Sequence, residues 1–212
     1  AGKDVIEGAT LSYVEAFASS ACEMVAEIVQ YTGENIRLHP EEADAMYGGI
    51  VVDTDGFVNK AGVRTFEAAA FLRRSGADVV RVRKMFREEA ADYKAKADAV
   101  SQAEIYRDFF AFSVCNGEGL RSPTVVAAQA ANQLLNIDRV KASFVLTQYN
   151  GQIFVSARSI DEINVQIIME HLGGGGHINM AGCQMTDITV EECIEKVKKV
   201  IDEMIEGGEI DA

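Results

Sequence analysis

Apolar residues in the first third of the chain recur mainly at helical spacing. Over residues 14–29 they fall three and four positions apart, which predicts an amphipathic helix that ends at the turn beginning with Tyr31. A shorter helix is predicted over residues 41–47, because Pro40 directly before it is typical of a helix start. A third, alanine-rich helix is predicted over residues 65–74.

A short run without helical spacing interrupts these helices at residues 48–52. It is apolar after its two glycines and is followed by the turn sequence Asp-Thr-Asp-Gly, which predicts a buried strand of a parallel sheet. Asp53 would then lie at the carboxyl end of a strand, where open parallel sheets bind ligands. Its carboxylate suits a hard divalent cation such as Mg²⁺ or Mn²⁺. The alternative is an ordinary turn, for which Asp55, before Gly56, is the better candidate.

The second half of the chain alternates predicted strands and helices after a charged segment. Residues 79–103 are rich in alanine, glutamate and lysine, which predicts a mostly helical linker. Asn150-Gly151 between two apolar runs is typical of a two-residue β-hairpin, and Thr189 with Glu192 forms a capping box at the start of a last helix. The remaining predictions are strands at residues 109–115, 143–149, 152–157 and 181–185, and helices at residues 124–135 and 164–172. The chain is thus expected to form two α/β units, residues 1–98 and 99–212, joined by the linker helix.

Four consecutive glycines, Gly173, Gly174, Gly175 and Gly176, precede His177. Each glycine costs roughly 0.5–1 kcal/mol relative to alanine inside a helix or strand, so a run of four calls for a physical reason. A glycine backbone lets several N–H groups converge on one anion, and the imidazole of His177 can donate a hydrogen bond to a phosphate oxygen. The run therefore predicts a loop that binds a phosphate ester. The alternative is a helix C-cap followed by a flexible turn.

Arg158 is a second candidate for phosphate binding. It lies at the end of the second hairpin strand, and its planar guanidinium can bind a phosphate through two hydrogen bonds. Taken alone, however, an arginine at a strand end is more often a surface residue.

The composition excludes several classes of protein. A net charge of −13 argues against a non-specific coat on nucleic acid, which needs a broad basic surface, but not against a phosphorylated small molecule held by a few local groups. No apolar run approaches the roughly 20 residues of a membrane-spanning helix. The four cysteines are scattered, which predicts buried thiols in a reducing compartment rather than a metal site. We therefore expect a soluble, cytoplasmic chain.

Two groups of motifs together resemble the DHH/DHHA1 phosphoesterase superfamily. Residues 49–57, Gly-Ile-Val-Val-Asp-Thr-Asp-Gly-Phe, followed by Arg64-Thr65-Phe66, resemble the last motif block of the DHH domain. The segments that resemble its companion DHHA1 domain are Ser156-Ala157-Arg158-Ser159, Asn164-Val165-Gln166, the glycine run with His177, and Ala181-Gly182. Their order and spacing match over nearly the whole chain. The chain is most similar to bacterial cyclic-di-AMP phosphodiesterases of the GdpP type.

The resemblance implies the C-terminal part of a parallel-sheet DHH domain, a helical linker and a smaller α/β DHHA1 domain with a mixed sheet. It implies a hydrolase that uses two Mn²⁺ ions to activate water against cyclic-di-AMP, giving a linear dinucleotide. Asp53 would be a metal ligand, and Arg158 with residues 173–177 would hold the substrate. Two alternatives stay open. One is an oligoribonuclease or adenosine bisphosphate phosphatase of the same superfamily, and the other is a non-catalytic nucleotide-binding module.

The chain also departs from the family pattern. The other metal ligands of the family, including the D-H-H triplet, are absent, and by spacing Ala1 falls just after that triplet. We therefore expect this chain alone to be inactive, and its shortened parallel sheet to cause association into a homodimer or local disorder in the first half. The sequence leaves open what precedes Ala1, a membrane anchor of the parent protein included.

Overall fold

The computed structural model describes residues 8–10, 12–32, 36–160 and 163–210, and the chain divides into two compact units, residues 1–87 and 88–212. In these described ranges no helix is both long and apolar enough to cross a membrane. Residues 79–103, predicted as a mostly helical linker, contain two helices, Val79–Met85 in the first unit and Ala90–Ser101 in the second.

The first unit is built from helices in the part that the structure describes. They are α1 (Ala21–Tyr31), α2 (Pro40–Asp53), α3 (Val63–Arg74) and α4 (Val79–Met85). Their shared core is rich in alanine, and Ile50 and Leu72 are its largest fully buried side chains. Small side chains at the contacts let the helix axes approach closely.

The helix α1 begins later than its apolar spacing predicts, at Ala21 rather than near residue 14. Ser20 caps it, because its hydroxyl accepts a hydrogen bond from the backbone N–H of Glu23 (3.1 Å). The apolar side chains before the cap stay outside the core, and Phe17 is 91% exposed. A strong local cap thus overrides the helical spacing of the preceding residues.

The predicted strand at residues 48–52 is wrong, because these residues continue α2 without a break. The glycine pair that suggested a strand boundary instead allows neighbouring side chains to approach the helix. A Cβ at Gly49 would overlap the Sγ of Cys22 in α1, and a Cβ at Gly48 would lie 3.2 Å from the ring of Phe86. Both glycines therefore serve close packing between helices.

The Arg64-Thr65 pair ties the start of α3 to α1. Glu23 is only 2% exposed and accepts a hydrogen bond from the hydroxyl of Thr65 (2.6 Å). Arg64 donates from Nε and Nη2 to the two carboxylate oxygens of Glu27 (2.7 and 2.6 Å), and this hydrogen bonding holds the pKa of Glu27 below its usual range. This part of the DHH-like motif therefore has a structural role, since it clamps two helices together.

The second unit is a mixed sheet with helices on both faces. Its elements are α5 (Ala90–Ser101), β1 (Glu104–Tyr106), β2 (Phe110–Val114), α6 (Pro123–Leu134), β3 (Ala142–Tyr149), β4 (Gln152–Ser159), α7 (Val165–His171), β5 (Gly175–His177), β6 (Met180–Met185) and α8 (Val190–Glu206). The strand order is β1-β2-β3-β4-β6-β5, with β2 and β3 parallel and the other neighbours antiparallel. The expected α/β class with a mixed sheet is confirmed. The short edge strands β1 and β5 were not predicted.

Local signals placed the turns and caps of this unit correctly. Asn150 and Gly151 both have positive φ (51° and 74°), as a two-residue hairpin turn requires. Thr189 and Glu192 exchange hydrogen bonds between side chain and backbone at the start of α8 (3.2 and 2.9 Å). Gly173 ends α7 with φ of +77°.

The sheet separates two cores. On one face, α7 and α8 cover alternate residues of β2, β3, β4 and β6. On the other face, α5 and α6 cover β2 and β3, where the hydroxyl of Ser143 donates to the carbonyl of Ala131 in α6 (2.7 Å). Beyond β3 this second face is less covered, and the residues of β4 and β6 on it are half-buried or exposed.

We expect Gly49→Ala to destabilise the first unit, because the added Cβ would overlap Cys22 and force α1 away from α2. Overpacking of this kind costs about 1–3 kcal/mol of unfolding free energy. The double variant Gly49→Ala with Cys22→Ala removes the overlapping sulfur and should recover part of that loss. Chemical denaturation of the four proteins in this cycle measures the coupling, and strictly additive effects would contradict the packing described here.

Candidate functional site

Part of the sheet is only partly covered on the face where α6 packs. The helix α6 reaches β4, and the strands β6 and β5 beyond it carry exposed side chains on this face. Burial alternates along β4, so that every second residue is only half-buried. Residues that pair across antiparallel strands direct their side chains to the same face, and the register therefore gathers these half-buried positions with their partners on one surface. We call it the open sheet face; it comprises Phe154, Ser156 and Arg158 of β4, Met180, Gly182 and Gln184 of β6, and Gly175 and His177 of β5.

Arg158 and His177 lie in one row of the open sheet face. Arg158 pairs with Met180, and Met180 pairs in turn with His177. Since neighbouring strands are about 4.8 Å apart, the two backbones are about 10 Å apart across the sheet. The structure thus brings together two residues that the sequence indicated separately.

The guanidinium of Arg158 is short of hydrogen-bond partners. Its Nη1 donates to the carbonyl of Ala157 (2.8 Å), whereas its Nε is buried without a partner among the described residues. Burial lowers the pKa of Arg158, but an arginine side chain stays protonated in proteins. A cation held partly out of water with an unused donor favours an anionic ligand.

The glycine run forms the end of a helix and an edge strand rather than an isolated loop. Gly173 terminates α7, and Gly174 packs so closely on β6 that a Cβ there would lie 2.5 Å from the Cβ of Cys183. A Cβ at Gly176 would lie 2.6 Å from the Cα of Ala181, and its φ of +151° also favours glycine. Chain geometry therefore accounts for these three glycines.

Gly175 has no such reason to be glycine. No atom lies within 4 Å of the position that its Cβ would take, and its φ lies outside the left-handed region. It pairs with Gly182 on β6, where a Cβ would lie 2.7 Å from the carbonyl oxygen of Val155. A glycine inside a strand weakens it, and often marks a place where a ligand or another backbone comes close. Gly175 is the glycine of the run that best fits a binding role.

The histidines differ in their surroundings. His177 ends β5 with an exposed side chain, available to a ligand. The Nδ1 of His171 lies 2.9 Å from the carbonyl oxygen of Ile167 within α7, and His39 precedes α2 as its N-cap residue. His39 and His171 thus have local structural places.

Asp53 lies at the end of a helix and not at the end of a strand. The side chain of Asp53 is exposed. Burial of the Cys22 thiol, together with the negative charge of Asp53, raises the pKa of that thiol. Within the described residues, no three His, Cys, Asp or Glu side chains are grouped as a metal site requires. Asp53 belongs to the first unit, whereas Arg158 and His177 belong to the second.

Sequence reasoning missed three members of the open sheet face, Phe154, Met180 and Gln184. The available signal was the period-two alternation along β4 and β6, which places them on the same face as Arg158. Met180 lay just before the predicted strand, and β5, which completes the surface, gave no strand signal because it is mostly glycine.

A separate cleft of about 500 Å³ lies between α5 and the loop that follows β2. Its charged lining residues are Lys94, Asp98 and Glu118. With one cation against two carboxylates, this cleft is less suited to a phosphate than the open sheet face is.

Comparison with known proteins identifies the second unit. The family model described as the DHHA1 domain matches residues 110–207. Residues 110–207 form a DHHA1 domain. The chain is 41% identical over 209 residues to the cyclic-di-AMP phosphodiesterase GdpP of Geobacillus thermodenitrificans. This match covers 98% of the chain and 32% of GdpP. It is 38% identical over 206 residues to the cyclic-di-AMP phosphodiesterase PdeA of Listeria monocytogenes, and this match covers 97% of this chain and 31% of PdeA.

These comparisons confirm the likeness that the motifs indicated. The chain spans about a third of the length of the curated relatives it matches. Among solved structures, an exopolyphosphatase-related protein from Bacteroides fragilis is similar with a TM-score of 0.78 and 22% identity, over 89% of this chain and 57% of that chain. At this identity the likeness shows the fold alone.

Gly174→Ala should destabilise the DHHA1 domain, because its Cβ would overlap β6, whereas Gly175→Ala meets open space and should leave stability nearly unchanged. We expect a loss of about 1–3 kcal/mol for the first variant. Thermal unfolding followed by circular dichroism compares this matched pair. Equal losses for both variants would show that Gly175 is also required by packing.

Proposed function

We propose that this chain is the substrate-holding part of a cyclic-di-AMP phosphodiesterase. Its DHHA1 domain would bind a phosphate of a cyclic or linear dinucleotide through Arg158 and His177. The observation that carries this proposal is their common row on the open sheet face, where a half-buried guanidinium and an exposed imidazole flank one strip of backbone.

The two side chains complement each other chemically. The guanidinium of Arg158 offers a planar set of donors, and its Nε has no partner among the described residues. The imidazole of His177 can donate a further hydrogen bond from two strands away. Beside this row, on the edge strand β5, the missing side chain of Gly175 lets the bound nucleotide lie close against the backbone.

The relatives support the choice of substrate. GdpP of Geobacillus thermodenitrificans and PdeA of Listeria monocytogenes are both named cyclic-di-AMP phosphodiesterases, and the match covers nearly all of this chain. Mn²⁺ as the metal, a cytoplasmic location and a homodimer are further parts of the proposal. A short oligoribonucleotide or an adenosine bisphosphate is the alternative substrate.

The described residues do not fit a two-metal centre. Asp53 is an exposed carboxylate at a helix end, without the neighbouring ligands that two divalent ions need. We therefore propose that Asp53 supplies at most one ligand to ions held mainly by other residues. This chain by itself would bind the dinucleotide without cleaving it.

Arg158→Ala and His177→Ala should each weaken binding of the linear dinucleotide pApA, because each removes a hydrogen bond to an anion. The loss of a charged hydrogen bond is worth about 1.5–3 kcal/mol, or about 10- to 150-fold in Kd. Isothermal titration calorimetry on the 212-residue chain measures this.

Lys199→Ala is the matched control for charge. Lys199 is an exposed cation on α8, which covers the opposite face of the sheet. Equal weakening by Lys199→Ala would mean that binding follows net charge and not the open sheet face.

The purified chain should show no Mn²⁺-dependent hydrolysis of cyclic-di-AMP above the rate of the metal alone, since its described residues lack a complete metal site. Chromatographic separation of cyclic-di-AMP from pApA detects the product directly. Hydrolysis that Asp53→Ala abolishes would contradict this expectation.

A further inference from the structure

The open sheet face contains a strip without large side chains beside the Arg158 row. Two residues along each strand from that row, Ser156 pairs with Gly182, and Gly182 pairs with Gly175. We call these three residues the bare row. Because neighbouring strands are about 4.8 Å apart, the bare row presents roughly 10 Å of half-buried backbone with almost no side chain across the sheet.

Larger side chains border the bare row on both sides. On one side lies the row of Arg158, Met180 and His177, with Met180 54% exposed. On the other side Phe154 pairs with Gln184. The bare row is therefore the base of a shallow trough in the sheet surface.

Gln184 is exposed on β6, and its side-chain amide has no hydrogen-bond partner among the described residues. It lies directly opposite Phe154, whose ring packs near Tyr149 with ring centroids 6.4 Å apart. The trough thus ends in an aromatic ring and a free amide, the pair of groups that suits a flat ring with polar atoms on its edge.

The spacing of the rows matches a nucleotide. Gln184 is four residues from Met180 along β6, which is about 13 Å of extended strand. A phosphate held in the Arg158 row would therefore leave a base to lie over the bare row, with its outer edge towards Gln184. The trough is flat because Gly175 and Gly182 lack side chains, and Gly175 has no packing reason to do so.

We propose that the bare row seats the base of the bound nucleotide and that Gln184 is a specificity-determining residue for adenine over guanine. A glutamine amide donates one hydrogen bond and accepts another, which matches the N7 acceptor and N6 donor of adenine. Guanine presents two acceptors, O6 and N7, on the same edge, and suits a cation instead. This inference rests on the phosphate site proposed above.

The test uses three ligands in calorimetry with the whole chain: pApA, pGpG and an abasic dinucleotide that keeps the phosphates and sugars. The wild type should bind pApA most tightly and the abasic ligand most weakly. Gln184→Ala should weaken pApA about 5- to 150-fold, the range of one bidentate base contact, and leave pGpG and the abasic ligand unchanged.

A second variant tests the trough itself. Gly175→Val fills the bare row at a position where its Cβ meets open space, and should weaken pApA and pGpG while the abasic ligand still binds. Thermal unfolding of this variant shows whether the domain stays folded. Arg158→Ala should in contrast weaken all three ligands.

These outcomes separate the two proposals. If the wild type binds pApA and the abasic ligand equally, or if Gln184→Ala weakens pApA and pGpG alike, the base-binding inference is overturned while the phosphate site stands. If Arg158→Ala leaves all three affinities unchanged, the phosphate site is wrong. A wild type that binds none of the three at millimolar concentration overturns both.

Discussion

The pairing register of the outer strands is the constraint on which the candidate site depends. Arg158, Met180 and His177 come from three strands, and only the alignment of β4 with β6 and of β6 with β5 places them in one row. A shift of one residue in either pairing would turn one partner to the opposite face, because side chains alternate along a strand. The close contacts of Gly174 and Gly176 with β6 allow the short edge strand to pair in this register.

Glycine is required at different positions of this chain for different physical reasons. At Gly174 and Gly176 the cause is contact with a neighbouring strand, whereas at Gly173 it is the left-handed end of a helix. At Gly49 it is contact between two helices. Gly175 has neither a crowded neighbour nor a positive φ, so the geometry leaves room there for the ligand that we propose. Of the four glycines for which the sequence predicted ligand binding, Gly175 is thus the one that packing and φ do not account for.

Turns and caps with a local cause could mostly be predicted from the sequence, although the cap of α1 at Ser20 was missed. Features with a distant cause could not be predicted. The turn at Asn150 and the cap at Thr189 are determined by neighbouring residues, and both are present. The helix through Gly49 was mistaken for a strand because the reason for its glycine, Cys22, lies in another helix. In the same way Arg158 and His177 were identified as candidates, but their common row needs β5, which has no apolar pattern of its own.

Local charge and not net charge decides whether this face attracts a phosphate. The chain carries a net charge of −13, but salt at physiological concentration screens exposed carboxylates beyond about 8 Å. Arg158 is half-buried, so its field acts in a medium less polar than water and is stronger at short range. Its buried Nε already bears the cost of lost hydration, which a phosphate oxygen would offset. A lysine at this position would keep the charge but not the planar set of donors, so the geometry of the guanidinium matters as much as its sign.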